Sequence, residues 1–129
     1  MKKTLSCMMA AMLIAVSCQE SLEDRCAREA KEYNDKKCPA KVLDGVTIDS
    51  LVFDRSTHTL NYYYTFSGMS DNKEMMSKIN PRKILVDELR NSTKVQAYKE
   101  AGYNFHYIYF SASTREKLAD ILVTEKDYK

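Results

Sequence analysis

Two aromatic segments, Thr59 to Phe66 and Tyr103 to Phe110, carry nine Phe and Tyr side chains in sixteen residues. Side chains alternate across a strand, so Leu60, Tyr62, Tyr64 and Phe66 share one face, and Phe105, Tyr107 and Tyr109 share the matching face of the second segment. Each ring can bury roughly 150–250 Å². A core built on these two strands is the expectation, and the rest of the chain must supply layers that cover it.

The flanking segments read as those layers. From Leu22 to Lys37 the apolar residues Leu22, Cys26, Ala30 and Tyr33 recur at helical spacing and make one narrow stripe. Acidic residues stand at its start and Lys36 and Lys37 at its end, in accord with the helix dipole, and Pro39 stops it. Val46 to Asp54 is β-branched and aromatic, and the polar turn Arg55 to His58 joins it to the first aromatic strand as an antiparallel hairpin. Met69, Met75 and Met76 are expected as adaptable core filler. A second helix starts at Asn80 and Pro81 and offers Ile84, Leu85 and Leu89. Thr93 and Gln96 make a capping box for a further segment that ends at Gly102. Lys117 to Thr124 alternates as a fourth strand closing a second hairpin, with a short helix as the alternative. The expected fold is a single α+β domain, an antiparallel sheet of about four strands in two β-hairpins with two helices packed on it.

The first seventeen residues have a different character. Met1-Lys2-Lys3 precedes an apolar run from Leu5 to Val16, too short for the roughly 20 residues of a spanning helix and laid out as a signal peptide. Ala15-Val16-Ser17-Cys18 resembles the lipobox of bacterial lipoproteins, with Ala15 where Leu is usual. That resemblance implies diacylation of Cys18 and a membrane anchor; ordinary cleavage to a secreted soluble protein is the alternative. The domain organisation is then a signal peptide at 1–17, a tether at 18–24 and one domain at 25–129. The formal charge of +2 belongs to Lys2 and Lys3, because 20 minus 2 basic residues balance the 18 acidic ones. A neutral mature chain lacks the basic footprint of a nucleic-acid binder. Cys26 and Cys38, twelve residues apart on a helical path, stand roughly 18 Å apart, beyond disulfide reach.

Lys36-Lys37-Cys38-Pro39, Val46 to Leu51, Leu60-x-Tyr62-x-Tyr64, Gly102 and Tyr107-x-Tyr109 together resemble a group of small uncharacterised exported bacterial proteins built as helix, hairpin, helix, hairpin. The resemblance spans about residues 25–125 and implies a fold without an activity. Asp49-Ser50-Leu51 also resembles a three-residue bacterial O-glycosylation motif. No catalytic constellation, metal site or cofactor motif is legible: His58 and His106 are the only histidines, and neither has a nucleophile or ligand set at suitable spacing. The leading functional reading is a non-catalytic binding or scaffolding lipoprotein of the cell envelope, with a protein partner or a second copy; an enzyme with a dispersed site is the alternative. With Tyr62 and Tyr64 inward, Tyr63, His106, Ile108 and Phe110 fall on the opposite face, a candidate interaction surface unless the first helix covers it.

Overall fold

The computed structural model describes residues 19–129, so the leader and Cys18 lie outside the described residues. The elements are α1 (Leu22–Lys37), β1 (Ala40–Leu43), β2 (Val46–Asp54), β3 (Thr59–Phe66), a 3-10 turn (Gly68–Ser70), α2 (Lys73–Lys78), α3 (Pro81–Asn91), α4 (Gln96–Glu100), β4 (Asn104–Ser111), β5 (Lys117–Val123) and α5 (Glu125–Tyr128). The strands form one sheet in the order β1-β2-β3-β4-β5. Both expected hairpins are present, β2 with β3 and β4 with β5.

Two features differ from the four-stranded antiparallel expectation. β1 adds a fifth strand, and β3 pairs with β4 in parallel, so the sheet is mixed. The parallel pair follows from the connection: the helical segment from α2 to α4 carries the chain back to the starting end of the sheet, as a parallel crossover requires. The extra strand follows from the Asp44-Gly45 turn. Gly45 has φ +77°, and a Cβ there would sit 2.7 Å from the Ser67 carbonyl oxygen, so this turn depends on glycine.

Among the described residues five helices, where two were expected, contribute to the aromatic face. Cys26 and Ala30 of α1, Met76 of α2, Leu85 and Leu89 of α3, Tyr98 of α4 and Tyr128 of α5 join Leu60, Phe105, Tyr107, Ile121 and Val123 in one buried cluster. α1 therefore covers the same face as Tyr62, not the face carrying Tyr63. The small side chains of Cys26 and Ala30 let α1 lie close on β2, where Leu51 N–H donates to Asn34 Oδ1 at 3.1 Å. Ser21 caps α1 by accepting from Asp24 N–H at 3.1 Å. Asn80 caps α3 through Lys83 N–H at 3.3 Å, with Pro81 next.

Other expectations are resolved locally. The Thr93–Gln96 capping box does not form, because Val95 is the N-cap of α4 and its side chain makes no cap bond. A capping box is present instead at Thr124 and Asp127 of α5. Of the three methionines expected in the core only Met76 is buried; Met75 is exposed because the short α2 turns one face to the sheet, and Met69 is exposed in the 3-10 turn before it. Cys26 and Cys38 are free thiols, and burial pushes that of Cys26 up to about 12. Ser50 is half-buried within β2, beside a register shift.

Candidate functional site

The aromatic face is not fully covered. α1 packs over β2, and α3 packs toward β5 and α5. Between them the central strands expose Tyr62, Tyr64 and Phe66 of β3 and Tyr107 and Tyr109 of β4 to a cleft of about 520 Å³, within the range of ligand sites. In-register parallel pairing sets Tyr62 opposite Tyr107 and Tyr64 opposite Tyr109. The first pair stacks with ring centroids 4.9 Å apart, and the second meets edge to face at 5.4 Å, both favoured aromatic geometries. These rings are the floor.

The walls are apolar and in part unburied. Ile84, Leu85 and Leu89 of α3 line one side, Val42 and Leu43 of β1 close one end, and Met76 and Ile79 lie between. Val42, Leu43, Ile79 and Ile84 are 45–69% exposed, although each is a side chain whose burial stabilises a fold by about 1.5–3 kcal/mol. At the other end Lys94 and Val95 mark the seam with a second recess, about 190 Å³, between α1 and the sheet.

Chemically the floor is mixed. Tyr107 is 7% and Tyr109 9% exposed, yet among the described residues no hydrogen bond reaches the hydroxyls of Tyr62, Tyr64, Tyr107 or Tyr109. Tyr98 and Tyr128 behave differently: Tyr98 Oη donates to Glu29 Oε2 at 2.6 Å, and Tyr128 Oη to the Tyr103 carbonyl at 2.8 Å. Among the described residues no fully buried side-chain nitrogen or oxygen lacks a partner, so the four floor hydroxyls retain access to solvent. Burial raises the pKa of all four. For Tyr109 the value is pushed up to about 12 by burial, with the negative charge of Glu88 adding to it.

The sequence-derived surface residues lie on the other side of the sheet. Tyr63 pairs with Ile108, His106 with Asn61 and Phe110 with Thr65, so the structure brings all four to one face. Ile108 is 3% exposed and packs within that face, whereas Tyr63, His106 and Phe110 are half-buried. His106 Nδ1 stands 2.9 Å from Asn61 Oδ1 and Nε2 2.5 Å from Asp120 Oδ1. Lys117, which donates to Asp120 at 2.8 Å, and then His106 hold the Asp120 carboxyl below its usual range. His58 is an exposed turn residue whose ring stacks on Tyr103 at 4.7 Å. Among the described residues no three His, Cys, Asp or Glu side chains form a group able to hold a metal ion.

The cleft residues were only half visible in the sequence. Tyr62, Tyr64, Tyr107 and Tyr109 read as core, which they also are. Val42 and Leu43 were missed; an Asp-Gly turn between short apolar runs was the available signal.

The fold is an α+β domain with helices on one face of a mixed five-stranded sheet, open between two of them. The chain belongs to the family described as domain of unknown function DUF8479, whose model matches residues 21–119. No curated protein matches it in sequence. In structure it is similar to a candidate secreted protein from Pseudomonas aeruginosa, at a TM-score of 0.67 and 15% identity, covering 86% of this chain and 100% of that one. It is also similar to the pilotin EpsS of the Vibrio vulnificus type 2 secretion system, at 0.60 and 11%, over 84% of this chain and 92% of the pilotin. The type II secretion pilotin AspS of Vibrio cholerae gives 0.59 and 16%, over 82% and 91%.

Proposed function

We propose that this protein is a lipid-anchored, non-catalytic binding module of the cell envelope, and that its cleft receives an apolar segment of a protein partner. The observation that carries this reading is the rim. Among the described residues half of the exposed large hydrophobic side chains, Val42, Leu43, Ile79 and Ile84, gather around one opening, and concentrated exposed apolar area marks interaction sites. Fold likeness to two pilotins of type II secretion systems and to a candidate secreted protein supports an envelope setting.

The placement of the tether supports it too. Cys18 directly precedes Gln19, and α1 begins beside the β2–β3 turn, where Asp24 meets Arg55 at 2.8 Å. The cleft reaches Phe66 at the opposite end of β3, about 23 Å away at 3.3 Å per residue. A lipid on Cys18 would leave the opening turned away from the membrane.

Two variants test the two halves. Cys18→Ser should release the protein from the membrane fraction, and retention would contradict the anchor. Leu43→Asp should leave the domain folded while removing whatever co-purifies with the wild-type protein from cross-linked intact cells. Unchanged co-purification would contradict the cleft. The open sheet face carrying Tyr63, His106, Ile108 and Phe110 supports a second reading, contact with a further partner or copy, because all five helices pack on the other side. Loss of association in Phe110→Asp but not in Leu43→Asp would favour it.

A further inference from the structure

The polar groups of the cleft describe its occupant more closely than the apolar rim does. Glu88 is exposed on α3 and lines the cleft, yet it makes no salt bridge or side-chain hydrogen bond among the described residues. It is an exception on its own helix, where Lys83 pairs with Asp87 at 2.8 Å and Arg90 donates to the Asp127 carbonyl at 2.8 Å. Its i−4 and i+4 neighbours are Ile84 and Ser92, so α3 offers it no cation at helical spacing. Its charge acts on the floor, contributing to the raised pKa values of Tyr64, Tyr107 and Tyr109 after burial. Among the described residues Lys94 is the one basic side chain that lines the cleft, and it stands at the seam with the second recess.

A carboxylate without a counter-ion faces tyrosine rings, and the hydroxyls of those rings lack partners. Tyr107 and Tyr109 are both buried, and their hydroxyls are costly to leave unpaired once a ligand shuts out water. An arginine or lysine meets each of these needs. It can pair with Glu88, donate to phenol oxygens and lie against ring faces, while its aliphatic stem suits the apolar wall. A purely aliphatic occupant would bring no donor to Glu88 and no partner to the four hydroxyls.

We propose that the cleft selects an apolar peptide segment carrying a basic residue, with Glu88 as the specificity-determining side chain and Tyr64, Tyr107 and Tyr109 as its polar floor. This inference rests on the reading of the cleft as the partner site. The test uses purified full-length protein and two labelled synthetic peptides of the same leucine-rich sequence, one with Arg and one with Glu at a single central position, followed by fluorescence anisotropy. The wild type should bind the Arg peptide about tenfold more tightly than the Glu peptide, the change expected of one desolvated charge pair. Glu88→Gln should shrink that preference to about threefold or less, and Ile84→Asp should weaken both peptides. Equal binding of the two peptides, still lost in Ile84→Asp, would overturn the charge selection and leave the cleft reading standing. Binding of neither peptide, or binding unaffected by Ile84→Asp, would overturn both.

Discussion

If the floor hydroxyls are held for a ligand, removing one should cost the free protein almost nothing, unlike removal of a structural hydroxyl. Tyr107→Phe and Tyr128→Phe make the comparison, since both residues are 7% exposed and both substitutions delete a single oxygen. Tyr128 Oη donates to the Tyr103 carbonyl at 2.8 Å and lies 3.3 Å from that of Lys99, fastening α5 to the chain entering β4. Losing that bond and leaving the Tyr103 carbonyl behind, while the Lys99 carbonyl keeps the Gly102 N–H, should cost about 1–2 kcal/mol. For a domain of this size that corresponds to a melting temperature lower by about 4 °C per kcal/mol. Tyr107 has no such bond, so Tyr107→Phe should stay within about 0.5 kcal/mol of wild type. Urea titrations followed by circular dichroism, compared at constant m, read the difference directly. An equal loss in the two variants would show that the Tyr107 hydroxyl has a partner in the free fold, and the argument for the polar floor would fail.

Lys99 is 6% exposed, and its Nζ donates to the Leu89 carbonyl at 2.5 Å and the Arg90 carbonyl at 3.3 Å, satisfying the C-terminal end of α3. Lys99→Met should destabilise by about 2 kcal/mol, and an unchanged thermal midpoint would contradict that role. Glu29 responds to acid. Burial raises its pKa, but hydrogen bonds from Arg25 at 2.8 Å and Tyr98 at 2.6 Å outweigh this and hold it low. A depressed folded value contributes stability above the unfolded pKa, near 4.3, and loses it as pH falls through the folded one. Glu29→Gln should therefore flatten the acid limb of the stability profile, and a parallel shift at all pH values would contradict the assignment. Gly45→Ala meets both a positive φ and the Ser67 carbonyl, so it should loosen β1 and its rim residues, seen as faster amide exchange across Ala40–Leu43. Unchanged protection there would contradict the turn's dependence on glycine.

The aromatic core was legible because period-two alternation places Leu60, Tyr62, Tyr64, Phe105, Tyr107 and Tyr109 without reference to anything distant, and the register confirms that assignment. α1 was legible from the helical spacing of Leu22, Cys26, Ala30 and Tyr33 and from the stop at Pro39; its cap Ser21 was not. Strand direction was not. Whether β3 and β4 run parallel depends on which edges meet, and only the helical crossover between them signals it. The cleft was hidden more deeply. Tyr62 and Tyr107 obey the pattern of core residues whether or not a helix covers them; the opening appears only when α1, with its narrow Cys26–Ala30 stripe, is seen to reach β2 and little further. Glu88 reads in the sequence as an ordinary solvated helix residue, because its place on the cleft wall and its lack of an ion pair among the described residues are facts of three dimensions.

The central claim is that a protein segment occupies the cleft in the cell. A photo-activatable amino acid at position 84, on the cleft wall, and another at position 52, on the opposite face where Val52 is 49% exposed, would report the occupant in intact cells. The account predicts a discrete cross-linked species from position 84, absent from position 52 and lost when Leu43→Asp is added. A cross-link of equal strength from both positions, or one indifferent to Leu43→Asp, would contradict it.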